Sequence, residues 1–284
     1  MKCTRTLYKI LIVIVLLTFI VLTLSKFVCE RKQNESMLST LNSVESIKNY
    51  AVYYGKDRID RLSNFDLVIV QPEEYSKKEI ETLKKHKTIV LAYLSLGEVS
   101  ERYFKYAKGC IVGKNKNWNT YYVNVSCKKW QNFILNKAIP SILNKGFNGL
   151  FLDCVDVDKM TTKKGMVNLI KKIRQKYPYI ILIQNRGFSI INETAPYVNG
   201  VLFECFTTHY NWSSKKYELW KGEDLKWIEI KAKELLRLKK KYGLVVLTLD
   251  YAENKTLKKV CLKHAEKYRF IPYVSNIYLN KILN

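Results

Sequence analysis

Acidic residues recur where short apolar runs of this sequence end. Asp153 closes the run GLFLD and Glu204 closes GVLFE, while Asp250 follows LVVLTL and Glu98 follows IVLAYLSLG. An acid at the end of a buried strand is partly desolvated and lies near other acids, and this environment drives carboxyl pKa values apart. The pattern therefore indicates acid–base chemistry at a site built from the ends of several strands.

Hydrolysis of a glycosidic bond is a reaction that such acids can perform. It requires one carboxylic acid that protonates the leaving oxygen and one carboxylate that attacks the anomeric carbon or activates water. Asp153 and Glu204 would supply this pair, because they end non-adjacent strands and would face each other across a shared hollow. Aromatic residues near the same strand ends could stack on pyranose faces, namely Tyr53, Tyr54, Tyr93, Tyr210, Trp212 and Tyr251.

Most of these acids also have a structural interpretation. Asp153 could cap a helix N-terminus, because Asp is favoured at such junctions. Asp250 could cap a helix or pack against a lysine, and Glu98 could pair with Arg102. Glu204 is harder to explain in this way, since Glu is a poor cap and directly follows the apolar residues of a buried strand.

Eight runs rich in β-branched and aromatic residues recur from residue 50 onward, and basic amphipathic stretches of helical period separate most of them. The predicted strands are Tyr50–Tyr54, Leu67–Gln71, Thr88–Leu94, Gly149–Asp153, Tyr179–Gln184, Gly200–Glu204, Leu244–Leu249 and Phe270–Val274. The clearest predicted helices lie at 75–86, 131–145, 163–177, 223–242 and 256–268. This alternation predicts an α/β fold, a single (β/α)8 TIM barrel. A doubly wound sheet is the alternative, but no glycine-rich phosphate loop follows the first strands.

The N-terminus carries a membrane-targeting segment. Residues 10–25 are apolar and uncharged, and as a helix they would rise about 24 Å. We expect residues 1–28 to be a membrane anchor or a signal segment, 29–47 a polar tether, and 48–284 the barrel. No small-residue cleavage site follows the apolar run, which favours an uncleaved anchor. The barrel would then be membrane-anchored outside the cell, or secreted if the segment is cut.

Residues 99–130 form a predicted insertion after the third strand. This segment is long for a βα loop, and it is either one wall of an extended cleft or a surface elaboration without a ligand. Cys110 and Cys127 both lie in it, and an oxidising exterior could join them. Cys154 and Cys205 are expected to point into packing around the barrel. The cysteines and histidines lack metal-site spacing, so neither a metal nor a cofactor is predicted.

Charge offers a competing interpretation. The chain has 284 residues, 48% of them hydrophobic, and a formal net charge of +24. This composition excludes disorder, and the basic charge alone favours a non-catalytic extracellular barrel that binds polysaccharides or polyanions. However, the lysine-rich runs fall on predicted outer helices, and the sequence has no nucleic-acid-binding motif. Acids gathered at the strand ends would instead make the barrel mouth negative, while the outer helices are positive. Salt would screen the mouth from lysines more than about 8 Å away.

Six sequence blocks in unbroken order resemble glycoside hydrolase family 114, which contains endo-α-1,4-polygalactosaminidases and spherulin-4-like proteins. The blocks are AYLSLGE at 92–98, GFNGLFLDCVD at 146–156, QNRGF at 184–188, FECF at 203–206, LTLDYA at 247–252 and PYVSN at 272–276. The resemblance implies a (β/α)8 barrel with an acidic pair at the ends of strands four and six. It also implies a polysaccharide partner, with a galactosamine-containing polymer as the leading candidate.

The resemblance assigns roles to residues as well. Asp153 becomes the nucleophile and Glu204 the general acid/base of a glycosidase that is expected to be retaining and endo-acting. Arg186 departs from the family pattern, where a neutral residue is expected, and its guanidinium could alter sugar preference. The oligomeric state stays open. The predicted substrate-binding residues, including strand-end aromatics, are Tyr53, Tyr93, Glu98, Asp156, Gln184, Asn185, Tyr210, Asp250, Tyr251 and Tyr273.

Overall fold

Eight parallel strands form the central sheet of the computed structural model. They are β1 Tyr50–Tyr53, β2 Leu67–Val70, β3 Ile89–Ser95, β4 Gly149–Asp153, β5 Ile181–Asn185, β6 Gly200–Glu204, β7 Val245–Tyr251 and β8 Ile271–Ser275. Hydrogen-bonded neighbours follow the chain order from β1 to β8. The Tyr50 ring of β1 lies 5.6 Å from the Tyr273 ring of β8 between centroids, so the sheet approaches closure. The architecture is that of the predicted (β/α)8 barrel.

Each predicted strand overlaps an observed one. The strands consist largely of aliphatic residues, and β2 is buried along its whole length because helices and the barrel interior cover its two faces. The largest differences are in β5, which begins at Ile181 and ends at Asn185, and in β7, which continues to Tyr251. Asn185, Asp250 and Tyr251 therefore belong to strands, and the alternation of the strand decides which face each side chain occupies.

Helices lie in the connections between the strands. Their bounds are Ile59–Leu62, Lys77–Lys85, Phe104–Ala107, Lys128–Phe133, Ile139–Asn144, Lys163–Lys176, Ile191–Thr194, Gly222–Tyr242 and Lys255–Lys267, with a π-helical turn at Ile134–Ala138 and 3-10 turns at Glu101–Tyr103 and Ala195–Tyr197. Ser76 and Glu79 form a capping box that begins the second helix. Gly243, at φ 67°, ends the longest helix in the left-handed conformation that glycine adopts at low cost.

Two small antiparallel sheets extend two of the connections. After β3, Glu98–Val99 pairs with Thr120–Val123, which pairs with Ile111–Asn115. We call residues 111–123 the insertion hairpin. Cys110 and Cys127 flank it and form a disulfide, with Cα atoms 5.8 Å apart, so the predicted pairing is present. After β6, Thr208–Asn211 and Lys216–Leu219 form a second hairpin that the sequence did not predict, which we call the β6 hairpin.

The structure describes residue 35, residues 44–156 and residues 163–282. The predicted membrane segment at 10–25 and most of the predicted tether lie outside these residues. Among the residues that the structure describes, no helix combines the length and apolar character needed to cross a membrane.

Candidate active site

Asp153 and Glu204 are the last residues of β4 and β6, and β5 lies between these strands. The residue after each acid has a left-handed backbone, with φ 53° at Cys154 and φ 55° at Cys205. Arg186, which follows the last residue of β5, has φ 49°. The chain therefore turns sharply away directly after each of three neighbouring strands, and the three terminal side chains remain at the barrel mouth.

Asn185, the last residue of β5, joins the two acids. Its side-chain nitrogen Nδ2 donates one hydrogen bond to Asp153 Oδ1 at 2.8 Å and another to Glu204 Oε2 at 2.7 Å. The two carboxylate oxygens are therefore no more than 5.5 Å apart, the sum of the two bond lengths. The three side chains form one hydrogen-bonded unit over the end of the barrel.

Glu204 has a second donor and an altered acidity. The Tyr251 hydroxyl donates to Glu204 Oε1 at 2.5 Å. The surrounding protein removes bulk water from the Glu204 carboxylate, and this desolvation, followed by the charge of Asp153, raises its pKa. The hydrogen bonds from Tyr251 and Asn185 and the charge of Arg186 lower that pKa and limit the rise. Glu204 thus retains a proton at a higher pH than an ordinary glutamate.

Asp153 has a different set of partners. In addition to Asn185, the Tyr93 hydroxyl donates to Asp153 Oδ2 at 2.8 Å. The Tyr93 and Asn185 donors therefore orient both of its oxygens. The Tyr93 ring packs edge-on against Tyr54, with centroids 5.3 Å apart. Burial and the nearby carboxylates raise the pKa values of Tyr54 and Tyr93, so both phenols stay neutral.

The carboxylate pair lies in a cavity of about 1030 Å³. Of the predicted site residues, six line this cavity: Tyr93, Glu98, Asp153, Asn185, Glu204 and Tyr251. The ionisable acids and bases in its wall are Glu73, Glu74, Glu98, Asp153 and Glu204 against Arg102, Lys137 and Lys145. Acids thus outnumber basic side chains in this wall, although the whole chain carries +24.

The family model of glycoside-hydrolase family GH114 matches residues 33–284. The chain belongs to family GH114. A relative from Methanocaldococcus jannaschii, the uncharacterized protein MJ1477, is 26% identical over an alignment that covers 97% of this chain and 92% of the relative.

Two solved structures share the fold of this GH114 chain. The glycoside hydrolase domain of PelA from Pseudomonas aeruginosa superimposes with a TM-score of 0.74 at 20% identity and covers 84% of this chain and 98% of that domain. Ega3 from Aspergillus fumigatus, in a crystal structure of its complex with galactosamine, superimposes with a TM-score of 0.65 at 14% identity. That match covers 82% of this chain and 91% of the Ega3 chain.

Glu98 of the GH114 barrel is held by the insertion. Asn115 Nδ2 donates to its two carboxylate oxygens at 3.1 and 3.3 Å, and the Thr120 hydroxyl donates to Oε2. Both donors lie in the insertion hairpin and line the cavity beside Glu98. The insertion therefore supplies part of the cavity wall, and the alternative in which Glu98 pairs with Arg102 is not what the structure shows.

Asp250 is at the end of the barrel but does not line the cavity. It is 1% exposed, and its Oδ1 accepts hydrogen bonds from the backbone nitrogens of Thr207 and Thr208 at 2.6 and 2.9 Å. Burial raises the pKa of Asp250 to about 6, although these hydrogen bonds lower it. In β7 the neighbouring residue Tyr251 faces the cavity, so Asp250 faces the opposite side. Its interactions show that it holds the start of the β6 hairpin.

Five other predicted substrate-binding residues also lie outside the cavity wall. Gln184 is fully buried and donates to the Arg186 carbonyl at 2.9 Å, because it faces away from the side that Asn185 occupies. Asp156 lies 3.7 Å from the Arg186 guanidinium. The remaining three are Tyr53, whose hydroxyl donates to the Lys56 carbonyl; Tyr273, which packs inside the barrel against Tyr50; and Tyr210, which packs edge-on against Trp212.

Several residues of the cavity wall were absent from the predicted site. Asn115, Trp118 and Thr120 are on the insertion hairpin, and the signal in the sequence that pointed to this segment was its unusual length. Cys154 also lines the cavity, with its Sγ 3.8 Å from Asp153 Oδ2, so the expectation that this thiol points into packing is wrong. The left-handed backbone at Cys154 turns the chain at this point and brings the thiol to the mouth.

The described residues of this GH114 barrel contain no group of three or more His, Cys, Asp or Glu side chains arranged to hold a metal ion.

Proposed function

We propose that this GH114 protein is a retaining glycosidase in which Asp153 is the nucleophile and Glu204 is the general acid/base. The observation that carries the proposal is the Asn185 amide, which keeps an oxygen of each carboxylate within 5.5 Å of the other. Retaining glycosidases place their two carboxyl groups about 5–5.5 Å apart, whereas inverting enzymes need about 6.5–9.5 Å to admit a water molecule.

The environments of the two acids support these separate roles. A raised pKa favours the protonated form of Glu204, which can give its proton to the glycosidic oxygen as the bond to the anomeric carbon breaks. The Asp153 carboxylate, oriented by Tyr93 and Asn185, attacks the same carbon and forms a glycosyl ester. In the second step Glu204, now a carboxylate, takes a proton from water, whose oxygen displaces Asp153 from the sugar.

An amino-sugar polysaccharide, with a galactosamine polymer as the leading candidate, is the proposed substrate. The excess of acids in the cavity wall favours a cationic ammonium group locally, because the more distant surface lysines are screened beyond about 8 Å. The cavity continues from the carboxylate pair to Glu73 and Tyr106, which suits cleavage within a polymer. We also propose that the barrel lies outside the cell, anchored or secreted, and the Cys110–Cys127 disulfide supports an oxidising location.

The test is to incubate a protein of residues 40–284 with a de-N-acetylated galactosamine polymer and, separately, with neutral polymers, and to measure the products released. Glu204→Gln should lower the rate at least about 10²-fold, and Asp153→Asn should remove it. In Glu204→Ala, which removes the acid and leaves space, azide should restore turnover. The product should be a glycosyl azide of retained configuration. Glu253→Gln, which alters an exposed acid outside the cavity wall, is the matched control.

Equal rates in the wild type and both acid variants would exclude the mechanism. Polymer binding without product release by the wild type would favour the non-catalytic alternative.

A further inference from the structure

Two exposed tryptophans meet above the barrel mouth. Trp118 lies in the turn of the insertion hairpin and Trp212 in the turn of the β6 hairpin. Their ring centroids are 5.6 Å apart, and the rings are nearly perpendicular at 87°. Trp118 is 51% exposed and Trp212 is 45% exposed. Hairpins that follow β3 and β6 therefore contact each other through indole rings that stay largely open to solvent.

This exposure is not explained by the core. Indoles in turns rich in Asn, Ser and Lys present apolar surface to water at a free-energy cost, and such surface is typical of binding sites. Trp118 itself lines the cavity, together with Asn115 and Thr120, which hold Glu98. The tryptophan pair is thus continuous with the cavity that contains the two strand-end acids.

An aromatic row connects the pair to Glu204. Trp212 packs edge-on against Tyr210 with centroids 5.0 Å apart, and Tyr210 lies 5.2 Å from Tyr217. Tyr217 is 6.5 Å from Tyr251, the residue that donates to Glu204. Tyr210 and Tyr217 do not line the cavity, so this row of packed rings supports Trp212 from behind and links it to Tyr251, which does line the cavity.

We propose that Trp118 and Trp212 form an accessory subsite that binds the polysaccharide away from the bond that is cleaved. The apolar C–H face of a pyranose stacks on an indole, and the ammonium group of an amino sugar is attracted to the same ring face. The occupant is a continuous amino-sugar chain whose reacting residue lies at Asp153 and Glu204. This inference rests on the proposed function, and it makes the two hairpins determinants of chain-length preference.

The experiment compares Trp118→Ala, Trp212→Ala and the double variant on a de-N-acetylated galactosamine polymer and on the shortest oligosaccharide that the wild type cleaves. Each single variant should raise KM for the polymer about three- to five-fold, and the double variant should raise it further. Values of kcat and the kinetics of the short substrate should stay unchanged, because the acids are not altered. Trp227→Ala is the matched control, since Trp227 is 38% exposed and does not line the cavity.

Polymer affinity, measured by calorimetry in the Glu204→Gln background, separates this inference from the proposed function. If the wild type releases no product, the proposed function fails, yet a loss of affinity in both tryptophan variants still supports the subsite. Equal effects on long and short substrates, or a polymer affinity unchanged by both substitutions, would overturn the subsite even if the wild type is an active glycosidase. Urea unfolding midpoints matched to the wild type would show that the hairpins remain folded.

Discussion

The Tyr251 hydroxyl donates a 2.5 Å hydrogen bond to the Glu204 carboxylate. This hydrogen bond is one determinant of the Glu204 pKa, because a donor stabilises the carboxylate anion and lowers the pKa. The opposing effect is desolvation, which raises the same pKa. The acidity of Glu204 is therefore a balance between lost water and two protein donors, Tyr251 and Asn185.

Removing that donor should shift the pH profile upward. In Tyr251→Phe the Glu204 anion loses one hydrogen bond, so its pKa rises and Glu204 stays protonated to higher pH. A hydrogen bond to a charged group corresponds to about one to two pKa units. The alkaline limb of the kcat/KM profile should move up by that amount. Tyr53→Phe, whose hydroxyl donates to a backbone carbonyl outside the cavity, should not move it. An alkaline limb that stays in place or moves down would contradict the assignment of Glu204 as the acid.

Asp250 should make folding pH-dependent. Its pKa rises from 3.8 to about 6 in the folded state, so between these values the folded protein binds more protons than the unfolded chain. Stability contributed by this group is complete below about pH 4 and is lost as the pH rises through 6. The loss is at most about 3 kcal/mol, which is two pKa units. Asp250→Asn should flatten urea-unfolding free energies between pH 4 and 7 relative to the wild type, while Asp60→Asn, on the surface, serves as the control. Parallel profiles for wild type and Asp250→Asn would refute this.

The disulfide should contribute substantially to stability. Cys110 and Cys127 are 17 residues apart. Closing a loop of this size lowers the conformational entropy of the unfolded chain, which stabilises the folded state by about 3 kcal/mol. Cys110→Ser/Cys127→Ser should lower the unfolding free energy by about that amount. Dithiothreitol should lower the wild-type midpoint to that of the double variant and leave the variant unchanged. A wild-type midpoint insensitive to the reductant would show that this bridge does not stabilise the fold.

Gly97 should be required to place Asp153. A Cβ atom at Gly97 would lie 2.4 Å from the Cys154 carbonyl oxygen, so Gly97→Ala must displace the turn directly after Asp153. A shift of about 1 Å at a reacting group costs roughly 10²-fold in rate, and we expect kcat to fall by that factor in the folded variant. Gly222→Ala is the control because Gly222 has φ 55° and open space, so this substitution strains the backbone without a clash. A kcat equal to that of the wild type would show that the turn tolerates the added methyl group.

The strands and the acid pair were predictable from the sequence because each rests on a local pattern. Apolar runs end at Asp153 and Glu204, and the structure places both residues at the ends of β4 and β6. The face that a residue occupies was less accessible, since it depends on strand register. Glu204 pairs in register with Leu249, two residues before Tyr251, so Tyr251 shares its face and Asp250 does not. The same alternation separates Asn185 from Gln184.

The hairpins were not predictable in this way. The strands THYN and KYEL of the β6 hairpin are only 4 residues long each, which is too short for the alternation of polar and apolar residues to distinguish them from a loop. The partners of Glu98 come from positions 17 and 22 residues further along the chain. Such contacts depend on how the insertion folds back over the barrel, and sequence spacing alone does not specify it.

The left-handed residues Cys154, Arg186 and Cys205 directly follow three neighbouring strands. Since the backbone turns away directly after each strand, each following connection is joined to Asp153, Asn185 or Glu204 through one bent residue. The length of a connection beyond that residue can therefore change without altering the strand that carries Asp153, Asn185 or Glu204. The position of the acid pair is thus separable from the connections that shape the rest of the cavity wall.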